Sequence, residues 1–70
     1  MMREWLQKAR INAGMTQQET ADKLKLTRQY YSMIEIGQRQ KSLDILLAKK
    51  IGDLFNISLD QIAEYDAIMQ

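Results

Sequence analysis

The side chains in this chain that could do chemistry are guanidinium, ammonium and amide groups, not nucleophiles. Its 70 residues include no His and no Cys. That removes the commonest general base, the commonest metal ligand, any thiolate site and any disulfide framework. There is no glycine-rich phosphate loop and no carboxylate pair at a recognisable catalytic spacing, so neither an enzyme nor a cofactor is expected. The basic groups are unevenly spread. Residues 1–41 hold eight of them (Arg3, Lys8, Arg10, Lys23, Lys25, Arg28, Arg39, Lys41) against four acids, a charge of +4. Residues 42–70 hold Lys49 and Lys50 against five acids, a charge of −3. One half could face a polyanion while the other stays away from it. A solvated surface with clustered charge explains the same counts equally well.

The elements that must position these groups are read from apolar spacing. No proline interrupts the chain, and its three glycines are isolated. Apolar residues recur at helical intervals, and no stretch alternates with period two for long enough to make a strand. The expectation is an all-α fold, a compact bundle of five short helices in a single domain over residues 1–70. The first helix runs from about Arg3 to Ala13, with Trp5, Leu6, Ala9 and Ala13 in one stripe and Gly14 as its stop. Thr16-Gln17-Gln18-Glu19 forms a capping box that opens the second helix. That helix ends near Leu24 and buries Ala21 and Leu24, with Thr20 a weaker third member. Only Lys25 and Leu26 separate it from the next cap, Thr27. The third helix runs from Arg28 to about Ile36 and stops at Gly37. Tyr31 and Ile34 should face inward, with Arg28, Gln29, Ser32 and Met33 on the opposite side.

After a polar loop, Ser42 is the expected cap of a fourth helix, about Leu43 to Phe55. Its stripe is Leu43, Leu46, Leu47, the stem of Lys50, Ile51, Leu54 and Phe55. Asn56 suits the left-handed conformation that ends a helix. Ser58 caps the last helix, which starts at Leu59 and carries Ile62, Tyr65 and Met69 on one side. The longest apolar runs are a few residues, too short to span a bilayer. Arg3, Glu4, Lys8 and Arg10 near the start do not resemble a signal peptide, so the cytoplasm is the expected location.

The informative feature is the helix pair from Thr16 to Ile36. So short a turn makes the helices cross steeply and lets the second project. A projecting helix fits the major groove, where each base pair shows a distinct donor and acceptor pattern. Tight helical hairpins also occur in proteins that bind nothing, so geometry alone leaves both readings standing.

The run Gly14-Met15-Thr16-Gln17-Gln18-Glu19-Thr20-Ala21-Asp22-Lys23-Leu24 resembles the phage repressor and Cro type of helix-turn-helix. So does Thr27-Arg28-Gln29-Tyr30-Tyr31-Ser32-Met33-Ile34-Glu35-Ile36-Gly37-Gln38-Arg39. This family also includes xenobiotic-response-element-like regulators of bacteria and mobile elements. The resemblance covers about residues 2–63. The joint pattern of Arg10, Thr16-Gln17, Ala21, Thr27, Tyr31, Ile34-Glu35 and Gly37 is specific, although each member alone is weak.

The resemblance implies roles residue by residue. Arg10 and Glu35 would form a structural ion pair between the first and third helices. If buried, breaking it would cost about 3–5 kcal/mol; if exposed, under about 1 kcal/mol. Gln17 would hydrogen-bond a DNA phosphate at a helix N-terminus, or serve only as an ordinary capping-region residue. Arg28 and Gln29 would meet base edges, Arg suiting guanine O6 and N7 and Gln suiting adenine N6 and N7. Ser32 and Met33 follow one turn later, Met33 against a thymine methyl or simply in packing. For Arg28 a phosphate contact without base reading is the competing role. Thr27, Tyr30, Gln38, Arg39 and Lys41 would lie along the sugar–phosphate backbone, where contacts position the protein rather than specify sequence.

Four departures from the family pattern stand out. Lys25 occupies a turn position that favours glycine, Thr20 replaces an aliphatic residue, and Ile36 replaces a polar one before Gly37. The stretch from Gly37 to Ala48 is about two residues longer than usual and lacks its usual proline. The implied function is double-stranded DNA binding by a small repressor-like regulator in the cytoplasm of a bacterial or phage-infected cell. It would act as a homodimer on a palindromic operator. Ile57, Leu59, Ile62, Tyr65 and Met69 are the expected dimer surface, with the end of helix four as a further contributor. The competing class is a protein-interaction module on the same fold, such as an antitoxin or anti-regulator with a protein partner. Repressor, restriction–modification controller and antitoxin remain undivided by the sequence.

Overall fold

The computed structural model describes residues 2–40 and 42–68. It contains five α-helices: α1 Glu4–Asn12, α2 Gln17–Leu24, α3 Arg28–Glu35, α4 Ile45–Phe55 and α5 Leu59–Ile68. No strand is present among the described residues.

The helix starts follow from side-chain caps. The Thr16 hydroxyl accepts from the Glu19 backbone N–H at 3.1 Å, and the Glu19 carboxylate accepts from the Thr16 N–H at 2.9 Å. This reciprocal pair satisfies two donors that the first turn of a helix leaves orphaned. The backbone N–H of Thr16, followed by its hydroxyl, holds the Glu19 carboxyl below the usual carboxylate range. Thr27 caps α3 by accepting from Tyr30 N–H at 3.1 Å, and Ser58 caps α5 by accepting from Gln61 N–H at 3.1 Å.

The fourth helix corrects the sequence-based expectation. It begins at Ile45 rather than Leu43, and its cap is Asp44 rather than Ser42. Asp44 has a non-helical backbone, φ −57° and ψ 136°, and its carboxylate accepts from Leu46 N–H at 3.4 Å, while the Gln40 side-chain carbonyl accepts from Asp44 N–H at 3.0 Å. The buried stripe is accordingly Leu47, Ala48, Ile51 and Gly52. Leu46 points outward at 68% exposure, and Lys50 is exposed as well. Ala13, expected on the buried stripe of α1, is an exposed cap residue.

The core draws on every helix: Leu6 from α1, Ala21 and Leu24 from α2, Tyr31 and Ile34 from α3, Leu47, Ala48 and Ile51 from α4, and Ile62 from α5. Burial of these apolar surfaces is the main driving force for a chain this small. Gly52 lets α4 meet the turn into α5. A Cβ there would stand 2.5 Å from the Ile57 carbonyl oxygen, closer than any side chain tolerates.

The turn between α2 and α3 is set by Lys25, which is left-handed at φ 59°. That lets Leu26 N–H reach the Ala21 carbonyl at 2.8 Å and close the helix end. A residue with a Cβ holds this conformation at a cost of about 1 kcal/mol. Lys25→Gly is therefore expected to raise stability by about 0.5–1 kcal/mol and Tm by roughly 2–8 °C. Thermal melts followed by circular dichroism check this; a lower Tm would show that the Lys25 side chain makes a contact worth more than the strain.

Candidate nucleic-acid interface

The third helix is fixed from its buried side. Tyr31, Ile34 and Glu35 are all buried there. Arg10 of α1 grips the Glu35 carboxylate with two bonds, Nε to Oε2 at 2.9 Å and Nη2 to Oε1 at 3.2 Å. Its remaining reach goes to the Met15 carbonyl, from Nη1 at 3.0 Å. Gln17, the first residue of α2, donates from Nε2 to Glu35 Oε1 at 3.3 Å. One carboxylate thus gathers α1, α2 and α3.

Burial alone would push the Glu35 carboxyl up. Bonds from Arg10 and the Gln17 amide, with the polar Tyr31 hydroxyl close by, outweigh it and hold the carboxyl below the usual carboxylate range. The hydrogen bond to Glu35 in turn raises Arg10. Burial, and then the Glu35 charge, raise Tyr31. The Tyr31 hydroxyl lies near both charges but has no hydrogen-bond partner among the described residues.

The opposite face of α3 is open. Arg28 and Gln29 are exposed, and Ser32 and Met33 are half-buried one turn on. Thr27 precedes them as the exposed cap. Gln38 and Arg39 are exposed on the loop that follows. Tyr30 is half-buried, and its hydroxyl accepts from Gln40 Nε2 at 2.8 Å while keeping its own hydrogen to donate. Lys41 lies outside the described residues. Long donors from a helix face, a capped helix start and a basic loop therefore stand clear of the core.

The model of the family described as Helix-turn-helix matches residues 6–62. This chain belongs to the helix-turn-helix family of the phage repressor and Cro type. It is 47% identical over 53 residues to the uncharacterized HTH-type transcriptional regulator YqaF of Bacillus subtilis (strain 168), covering 76% of this chain and 67% of that protein. It is 37% identical over 62 residues to the uncharacterized HTH-type transcriptional regulator YqaE of the same organism, covering 89% of this chain and 52% of that protein. A third relative there, the SPbeta prophage-derived uncharacterized HTH-type transcriptional regulator YonR, is 38% identical over 60 residues, covering 86% of this chain and 54% of that protein. The chain thus spans about two thirds of the first relative and about half of the other two. No solved structure matches it. The family is one of DNA-binding regulators, not enzymes. No helix among the described residues is long and apolar enough to cross a membrane.

Several features of this helix-turn-helix protein differ from its sequence-based reading. Ile62, expected on the dimer surface, is only 2% exposed and belongs to the core. It packs where Gly52 admits it. Ile57 is half-buried against the core, and Met69 lies outside the described residues. Leu59 is exposed. Tyr65 is partly exposed, with its ring 5.7 Å from that of Trp5. A second buried ion pair, Arg3 with Asp66, was missed altogether. A signal for it existed: Asp66 follows Ile62 by one turn and so interrupts the inward stripe of α5 with a charge.

The Glu35 site makes a prediction about acid. Its folded-state pKa is lowered, so the unfolded chain binds more protons as pH falls. The stability it confers is full above the unfolded glutamate value of about 4.3 and is lost as pH drops through the lower folded value. Glu35→Gln should destabilise the protein by about 3 kcal/mol or more at neutral pH, because Arg10 loses its counter-charge. Urea unfolding from about pH 7 down to about pH 2 should show the gap to wild type closing in acid. A gap unchanged at the lowest pH would count against the ion pair.

Proposed function

We propose that this protein is a sequence-specific regulator of transcription that binds double-stranded DNA, with α3 in the major groove and repression as its mode. The observation that carries this reading is the division of α3. One side is locked by Tyr31, Ile34 and the Arg10–Glu35 pair, and the other presents Arg28, Gln29, Ser32 and Met33. A rigid helix with long donors on its free side is what base reading needs. Thr27, Tyr30, Gln38 and Arg39 flank it as phosphate contacts, joined by Gln17, whose amide retains a donor and its carbonyl oxygen beyond the bond to Glu35. The names of the three relatives, and the prophage origin of one, support a regulator of phage or mobile-element type.

One helix reads only a few base pairs, so useful specificity calls for two copies on a palindrome with half-sites about 34–36 Å apart. Apolar side chains left in solvent support a dimer face. Ile45 and Leu46 at the start of α4 are 70% and 68% exposed, and Leu59 at the start of α5 is 42% exposed. Ile45 and Leu59 line one groove with Leu43 and Ala63. We place the symmetric contact there, with Tyr65 at its margin.

Selection from random-sequence duplex DNA should yield a palindromic motif for the wild type. The double substitution Arg28→Ala/Gln29→Ala should abolish or relax it, each bidentate contact discriminating by about 1–3 kcal/mol. No enrichment at low salt would overturn the reading and direct attention to a protein partner. Sedimentation at micromolar concentration, with and without operator, should show a dimer for the wild type. Ile45→Glu, at an exposed first helical position where an acid suits the helix, should leave a folded monomer. A wild type that stays monomeric on DNA would exclude the symmetric arrangement.

A further inference from the structure

We propose that Arg3 is a positioning residue for DNA binding, anchored by Asp66 on α5, and that it sets the path of the loop carrying Arg39. This rests on the reading of the protein as a DNA binder. Arg3 is 1% exposed although it stands before the first helix. All five of its guanidinium hydrogens have acceptors. Nε donates to Asp66 Oδ1 at 2.8 Å and Nη2 to Asp66 Oδ2 at 3.2 Å. Nη1 donates to the Ile34 carbonyl at 2.7 Å and the Arg39 carbonyl at 3.3 Å. Nη2 also donates to the Gln40 carbonyl. The Arg3 backbone N–H adds a bond to the Glu35 carbonyl at 2.7 Å. Trp5 Nε1 steadies the anchor by donating to Asp66 Oδ1 at 3.0 Å.

Three segments therefore meet on one side chain: the last turn of α3, the loop after it, and α5. The Ile34 and Glu35 carbonyls are terminal carbonyls of α3, where a cation is favoured by the dipole. The loop carbonyls are a different matter. Gln40 sits in the left-handed region at φ 54°, a conformation a free loop would leave. Arg3 holds its carbonyl, and the Gln40 side chain spans from the Tyr30 hydroxyl to Asp44 N–H. Arg39 has its carbonyl tied inward and its side chain exposed. Apolar groups of the same volume would commonly stabilise a core as well as a buried ion pair does. What an apolar residue cannot supply is a fork that fixes two loop carbonyls relative to α5. With the guanidinium in place, the exposed Arg39 is held ready for a phosphate. Without it, the loop must be ordered again at each binding event.

The test is a double-mutant cycle on duplex DNA between Asp66→Asn and Arg39→Ala, run across a range of salt concentrations on variants shown to be folded by cooperative melts. Asp66→Asn alone should weaken binding about tenfold. It should also reduce the slope of log affinity against log salt by about 0.9, the loss of one phosphate contact. In the Arg39→Ala background it should add little to either. Arg3→Lys, which keeps the charge but not the fork, should reproduce the lost slope. Amide exchange at residues 38–40 should quicken in Asp66→Asn and in Arg3→Lys without DNA. A general loss of stability would shift the melts but leave the slope of the folded protein alone. Additive effects with an unchanged slope, beside wild type that binds DNA, would overturn this inference by itself. Wild type that binds no duplex DNA would overturn the proposed function and this inference together.

Discussion

A helix of eight residues has too few internal hydrogen bonds to persist alone, and its direction must be imposed by what it packs against. In this protein that constraint falls on α3, whose outward side has to stay polar and unsupported. The solution is electrostatic as well as apolar. Tyr31 and Ile34 bury one face, and the Arg10–Glu35 pair locks its end to α1 and α2. Each other feature of the interface depends on that anchorage, because a side chain can be aimed only from a backbone that does not rotate.

The anchorage is unusual for so small a body in its use of buried charge. Two arginines converge on the end of α3, Arg10 on its last carboxylate and Arg3 on its last carbonyls. Buried ions are expensive to desolvate and are tolerated only where each polar atom is met. Both guanidinium groups meet that condition, that of Arg10 with a carboxylate and a carbonyl, that of Arg3 with a carboxylate and three carbonyls. Helix α3 thus ends in a polar junction within an otherwise apolar core. Only the Tyr31 hydroxyl is left without a partner there among the described residues.

The other side of the molecule follows a different logic. Residues 42–70 carry five of the nine acidic residues, and α4 carries the most exposed apolar side chains, Ile45 and Leu46. A basic face for a polyanion and an apolar face free of excess positive charge are compatible in one small domain because they stand on different helices. Asp66 is the link between the two, since it lies on α5 and holds the arginine that reaches the loop after α3.

The helices themselves were legible in the residue order, and so was the helix-turn-helix. Thr16, Thr27 and Ser58 act within three residues of themselves, and Lys25 and Asn56 turn the chain at the position they occupy. Periodicity placed Tyr31 and Ile34 inward and Arg28 and Gln29 outward for the same reason: a short helix obeys its own spacing. Where two local solutions were nearly equal, the choice passed to distant groups. Ser42 and Asp44 are both good caps, and the folded chain uses Asp44, to whose N–H the Gln40 side chain reaches, with Leu46 turned outward. Ile62 looked as available as Leu59 until Gly52 drew it into the core. Arg3 and Asp66 are separated by nearly the whole chain, and no pattern of neighbours joins them. Caps and turns are contacts between residues a few steps apart, so chain order encodes them directly. Ion pairs across the core and the exposed ends of packed helices exist only once five helices have settled against one another, and that arrangement is a property of the whole fold.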